Sequence, residues 1–132
     1  MANEHPARLA AQGSMRAVLA KNKQAWLDLF ADDAVVEDPI GVSPLDPAGK
    51  GHRGKAAISA FWDNNIGPTN TQFDIRQSYA AGNEVANVGQ INNTMPDGKK
   101  IAVPIIITYK VNDHGKIVAL RAYWEFEKAF GP

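Results

Sequence analysis

The stretch IAVPIIITYKVNDHGKIVALRAYWEF, residues 101–126, holds two runs of alternating apolar residues on either side of NDHGK. A period of two sends successive side chains to opposite faces of a strand, so each run has one face to bury. In the first run that face is Val103, Ile105, Ile107, Tyr109 and Val111, set against Pro104, Thr108 and Lys110. In the second it is Val118, Leu120, Ala122, Trp124 and Phe126, with Arg121, Tyr123 and Glu125 opposite. The turn signal between them closes an antiparallel pair. Pro104 has no N–H to give a sheet ladder, which predicts a bulge or an edge position there.

Outward from this hairpin the chain divides in two. MPDGK at 95–99 is another turn, and extended segments are expected at 72–79, 84–94, 99–111 and 116–127, the last three as a meander. Before Pro68 the pattern is helical. Pro6 to Ala20 reads as a helix with Leu9, Gln12, Met15 or Arg16, and Leu19 about a turn apart, weakened at Gly13 or brought close to a neighbour there. KQAWLDLFAD forms a second helix that groups Trp26, Leu29 and Phe30 and ends near Asp32, leaving Asp32 and Asp33 as capping or turn residues. A third helix, about Lys55 to Ile66, buries Ile58 and Phe61, with Trp62 at the margin. VVEDP is a short strand, and GVSPLDPAGKGHRG is a long loop of the kind that forms either a lid or disorder. Helices first and a meander after imply an α+β fold, with three N-terminal helices covering one face of a curved antiparallel sheet. Such a sheet leaves a gap that its own backbone cannot fill, a natural pocket, and the strand ending at Asp38 runs at its rim.

Composition narrows the function classes. A chain of 132 residues that is 45% hydrophobic and 21% charged makes one globular domain, spanning 1–132. Fourteen Lys and Arg balance fourteen Asp and Glu, so no field gathers a polyanion, and nucleic acid is not an expected partner. No apolar run reaches the ~18 residues of a bilayer span, so no membrane partner is expected either. The first 30 residues lack the order of a signal peptide, so the cytoplasm is the expected compartment. With no cysteine, thiol chemistry is absent. His5, His52 and His114 have no metal-ligand spacing and read as solvated, and no metal or cofactor is expected.

Asp38 is the residue the pattern leaves open, either a solvated Asp-Pro turn or a base. Glu37 and Asp38 point to opposite sides of their strand, and parity alone does not choose between them. A carboxylate facing an apolar cavity has its charged form disfavoured, which makes it a proton acceptor near neutral pH, suited to a carbon acid beside a carbonyl. The enolate oxygen so created then needs donors in a dry site.

ADDAVVEDPIG at 31–41, the following loop with AISAFW, and GKIVALRAYW at 115–124 together resemble the ketosteroid isomerase branch of the fold shared with nuclear transport factor 2 and the SnoaL-like polyketide cyclases. The resemblance covers nearly the whole chain. It implies a cone-shaped α+β barrel, a homodimer through the outer sheet face, and an apolar pocket for a flat steroid. The family's general base falls on Asp38. Its oxyanion Tyr falls on Ser14, the Tyr supporting it on Trp62, and its second donor on Ile106 or Ile107, so none of these donors is retained. Phe61, Leu120 and Trp124 carry over as apolar wall. Asn87 and Asn93 share a face that the family turns inward and are candidate replacement donors, as is Ser14. Tyr109 carries a phenol on the Ile107 face and reads as core packing. The expected activity is a steroid delta-isomerase-like proton shift on a small apolar carbonyl compound, steroid or polyketide-like. The alternatives are a binding protein of the same fold with little or no catalysis, and an assembly module.

Overall fold

The computed structural model describes residues 5–131. Helix α1 (Pro6–Leu19) opens the chain, its first turn capped by the ring of His5, whose Nδ1 accepts from the Ala7 N–H at 3.1 Å. Helix α2 (Lys23–Asp28) is capped by Asn22, and strand β1 (Phe30–Glu37) follows after a single residue. Strand β2 (His52–Arg53) is short, and helix α3 (Lys55–Phe61) runs on into a π-helical turn over Trp62–Ile66. Long strands β3 (Asn70–Ala81), β4 (Glu84–Thr94) and β5 (Lys100–Val111) precede β6 (Ile117–Tyr123) and a final short helix α4 (Phe126–Phe130). One sheet has the order β2-β1-β6-β5-β4-β3, antiparallel except that β1 lies parallel to β6. The fold is thus the expected α+β arrangement, a curved and unclosed sheet with the helices over its inner face.

The inner face of β5 is buried from Val103 to Val111, as its alternation predicts. Trp26, Phe30, Val36, Ile58 and Ile117 are almost wholly withdrawn from water. Side chains of this size each contribute roughly 1.5–3 kcal/mol when fully buried.

The curvature has an identifiable cause. Between Ile75 and Gln77 the β3–β4 register slips by one residue, and Gly89 stands opposite the slip. A Cβ on Gly89 would lie 2.1 Å from the Asp74 carbonyl oxygen, so only glycine lets the bulged strand approach that closely. Pro104 causes no such slip. It sits on the part of β5 beyond the reach of β6, which makes it a local edge position.

Several expectations about these elements are corrected. The α1 face against the sheet is Ala7, Ala10, Ala11, Ser14, Ala17 and Val18, while Leu9 and Leu19 are each 49% exposed. The helix lies so close to the sheet that its small residues, not its leucines, make the contact. Helix α2 stops at Asp28, and Phe30 already pairs with Ile117 in β1. Asp32 and Asp33 are consequently exposed strand residues at a register shift, not caps. In β6 a second shift, between Lys110 and Val111, moves Ile117 into the core and leaves Val118 only half-buried. The last strand ends at Tyr123, and Phe126 leaves the sheet to stack on Phe130 within α4, ring centroids 4.6 Å apart.

The 42–53 loop is not disordered but is folded around buried Asp46. Its carboxylate accepts from the Gly49 N–H at 3.1 Å and the Gly51 N–H at 2.8 Å, and its backbone bridges Ser43. Among the described residues no helix is long and apolar enough to cross a membrane.

Candidate functional site

A cavity of about 250 Å³ lies between the inner face of the sheet and the helices. Its apolar wall includes Phe61, Phe73, Ile91, Ile105, Leu120 and Trp124, and Leu45 and Phe130 reach it from the folded loop and from α4. The inward residues of β5 that line it run from Val103 to Tyr109, a strand length of roughly 20 Å. The cavity is therefore long and mostly apolar.

Asp38 lines this cavity. The parity question is settled by the neighbouring strand. Glu37 pairs in register with Arg121 on the outer face of β6, and its carboxylate accepts from the Arg121 guanidinium at 3.0 Å. Ala34 and Val36 point into the core, and Asp38 continues their side beyond the end of β1. The Asp38–Pro39 peptide is cis. As a residue Asp38 is half-buried, but its carboxyl group is enclosed by protein, and this desolvation raises its pKa. Two influences hold the rise in check: Trp124 Nε1 donates to Asp38 Oδ1 at 2.6 Å, and His52 attracts the negative charge. The result is a carboxylate whose basicity is increased without the loss of every partner.

His52 is not solvated. It sits on β2 opposite Val36, its ring centroid 4.8 Å from that of Phe61, and its Nε2 is buried without a hydrogen-bond partner. His5 caps α1, and His114 is exposed in the β5–β6 turn. No group of three His, Asp or Glu side chains among the described residues is placed to hold a metal.

The other candidate residues divide. Ser14, Phe61, Asn93, Ile107, Leu120 and Trp124 all line the cavity. Ile107 is the inward residue of its pair, whereas Ile106 is 41% exposed on the outer face. Trp62 does not reach the cavity. It follows Phe61 along the helix, about 100° further round the axis, and packs on Trp26 with centroids 5.3 Å apart. Asn87 is also excluded, because α1 crosses the sheet above it and places it beside Arg8 and Ala11. Asn93 stands at the far end of the cavity, where its Oδ1 accepts from Thr71 Oγ1 at 2.7 Å.

One polar group is more prominent than its sequence context suggested. Tyr109 is buried in the core, yet its hydroxyl lies at the cavity 3.4 Å from Ser14 Oγ, which also accepts from Trp26 Nε1 at 3.1 Å. Burial pushes the Tyr109 pKa up to about 12, and the nearby Asp38 charge acts in the same direction. The phenol was visible in the sequence, but nothing local said that its oxygen would meet Ser14 across 95 residues.

The SnoaL-like domain family matches residues 11–120. A Delta 5-3-ketosteroid isomerase from Mycobacterium sp. is 40% identical, with 93% of this chain and 95% of that chain covered and a TM-score of 0.88. A Mycobacterium tuberculosis protein solved in complex with estradiol-17beta-hemisuccinate is 35% identical, covering 94% and 97% at a TM-score of 0.89. A computationally designed 17-OHP binder is 34% identical, covering 94% and 96%, also at 0.89.

Proposed function

This chain belongs to the SnoaL-like domain family, with ketosteroid isomerase-like proteins as its structural neighbours, and from that premise we propose that it binds a flat, largely apolar carbonyl compound and shifts a proton beside the carbonyl. The observation that carries this reading is the Asp38 carboxyl at the wall of an apolar cavity, held by Trp124. With a 3-oxo-Δ5-steroid, Asp38 takes a proton from the carbon between the carbonyl and the alkene, leaving a dienolate. The protonated carboxyl then returns that proton to the distal alkene carbon, and the double bond moves into conjugation. The reaction is redox-neutral, and the carboxylate ends as it began.

The second reading is a steroid or polyketide binding protein with little turnover. It is favoured by Ser14 and by Ile106 or Ile107, where the resemblance places the family's oxyanion donors, and by Trp62, where it places the Tyr that supports them. One experiment separates the two. Asp38→Asn keeps the size and the hydrogen-bonding carbonyl, so as an enzyme the variant retains steroid affinity and loses turnover by ~100-fold or more. A wild-type protein that binds steroid and forms no conjugated product supports the binding reading instead.

A second copy of the chain is the proposed protein partner, docking on the outer sheet face where Ile106 and Tyr123 are exposed. Sedimentation of the wild type and of Tyr123→Lys tests this, with a shift toward monomer expected in the variant.

A further inference from the structure

We propose that Tyr109 and Ser14, backed by Trp26, form the hydrogen-bond donor that holds the ligand's carbonyl oxygen and its enolate, a donor carried on β5 rather than on α1. This rests on the proposed function above, since it gives that site its missing electrophilic half.

Two hydroxyl groups bring two hydrogens. Their mutual contact uses one of them, whichever group donates. The indole of Trp26 is only a donor, so it fills a lone pair on Ser14 Oγ and takes no hydrogen away. Among the described residues no carbonyl or carboxylate receives the second hydroxyl hydrogen. Both residues are buried, and both line the cavity. One O–H is therefore uncommitted in a dry, apolar site, which is the setting in which a donor is worth most to a developing oxyanion.

In the structure Tyr109 donates to Ser14 Oγ; against an enolate the more acidic phenol turns its hydrogen to the ligand, giving the order Trp26 N–H to Ser14, Ser14 O–H to Tyr109, and Tyr109 O–H to the ligand oxygen. Each bond polarises the next. Burial pushes the phenol up to about 12, so the hydroxyl keeps its proton and can donate at neutral pH.

The placement also suits the reaction. In the sheet register Ile107 pairs with Ala122 and Tyr109 with Leu120, while Ile40 N–H bonds to the Ala122 carbonyl. Asp38 thus enters near the level of Ile107, one inward position from Tyr109, or roughly 7 Å along the strand. A carbonyl held by Tyr109 leaves the adjoining carbon within reach of Asp38.

The test uses 2-naphthol, a flat phenol whose fluorescence distinguishes neutral from ionised forms, and Asp38→Asn as a stand-in for the protonated base that faces the enolate. In that background the bound naphthol is expected to be largely ionised, and adding Tyr109→Phe should lower the ionised fraction at least tenfold at unchanged circular dichroism. Ser14→Ala, which keeps the phenol, should lower it severalfold. With steroid substrate, Tyr109→Phe alone should lose ~100-fold in kcat with little change in KM. Two results overturn the donor assignment while leaving the base in place: an ionised fraction indifferent to Tyr109→Phe, or a kcat that Asp38→Asn abolishes and Tyr109→Phe leaves intact. A wild type that binds neither naphthol nor steroid overturns this inference together with the function on which it rests.

Discussion

Trp124 donates its indole N–H to Asp38 at 2.6 Å, tying the residue that follows β1 to the residue that follows β6. The tie combines two duties in one side chain. The ring walls the cavity, and the nitrogen supports the charged form of the carboxyl against the burial that disfavours it. A neutral donor to a charged acceptor in such a site is worth ~1.5–3 kcal/mol.

Trp124→Phe keeps the ring and removes that donor. The charged form of Asp38 loses support, so its already raised pKa should climb further, and activity near neutral pH should fall by about an order of magnitude. Carboxyl NMR titration of the variant and wild type checks the direction without reliance on turnover, and an unmoved or lowered Asp38 titration would contradict the assignment.

The pH dependence of stability has a definite sign. Burial raises the folded pKa of Asp38 above its unfolded value, so the folded protein holds this proton more tightly than the unfolded chain does. That contribution is fully present below the unfolded carboxyl pKa and is lost as pH rises through the raised folded value. Asp38→Asn has no such loss. Its melting temperature should exceed that of the wild type by a few degrees at about pH 8, with the gap closing toward about pH 4.

Asp46→Ala should loosen the 42–53 loop at a cost of ~1–3 kcal/mol, because two glycine N–H groups lose a carboxylate acceptor. Leu45 then loses its fixed place in the cavity wall. Hydrogen exchange should quicken at Gly49 and Gly51 while β5 stays protected, and ligand affinity should fall. Equal exchange in variant and wild type would show that Asp46 does not organise the loop.

Two glycines should respond to alanine with opposite signs. Gly89→Ala meets a backbone carbonyl and should cost about 3 kcal/mol or more. At Gly13 the added methyl meets the tips of two flexible side chains, Leu29 at 3.4 Å and Arg16 at 3.9 Å, so improved helix propensity should prevail and stabilise by ~0.5–1 kcal/mol. Denaturant midpoints measure both.

Much of the fold could be read from local pattern. The inward set on β5, the hairpin at NDHGK, and the order of helices before strands all depend on side-chain period and turn chemistry within a few residues. The reading failed where contact with a distant element overrides period. Leu9 and Leu19 look like a core stripe until α1 is seen to press its alanines on the sheet, and Val118 looks buried until a one-residue shift gives its place to Ile117. Phe126 continues an alternation that β6 has already abandoned.

The site divides along the same line. Strand period reduced the candidates to one of two adjacent carboxylates, because successive residues on a strand cannot share a face. Period left both open and the family resemblance pointed to Asp38; the physical reason lies with Arg121, 84 residues from Glu37, which draws Glu37 to the outer side. Likewise the phenol of Tyr109 was legible as a residue type, while its meeting with Ser14 was not. Periodicity is a property of neighbours along the chain, whereas a cavity is made by residues that only the completed sheet brings together.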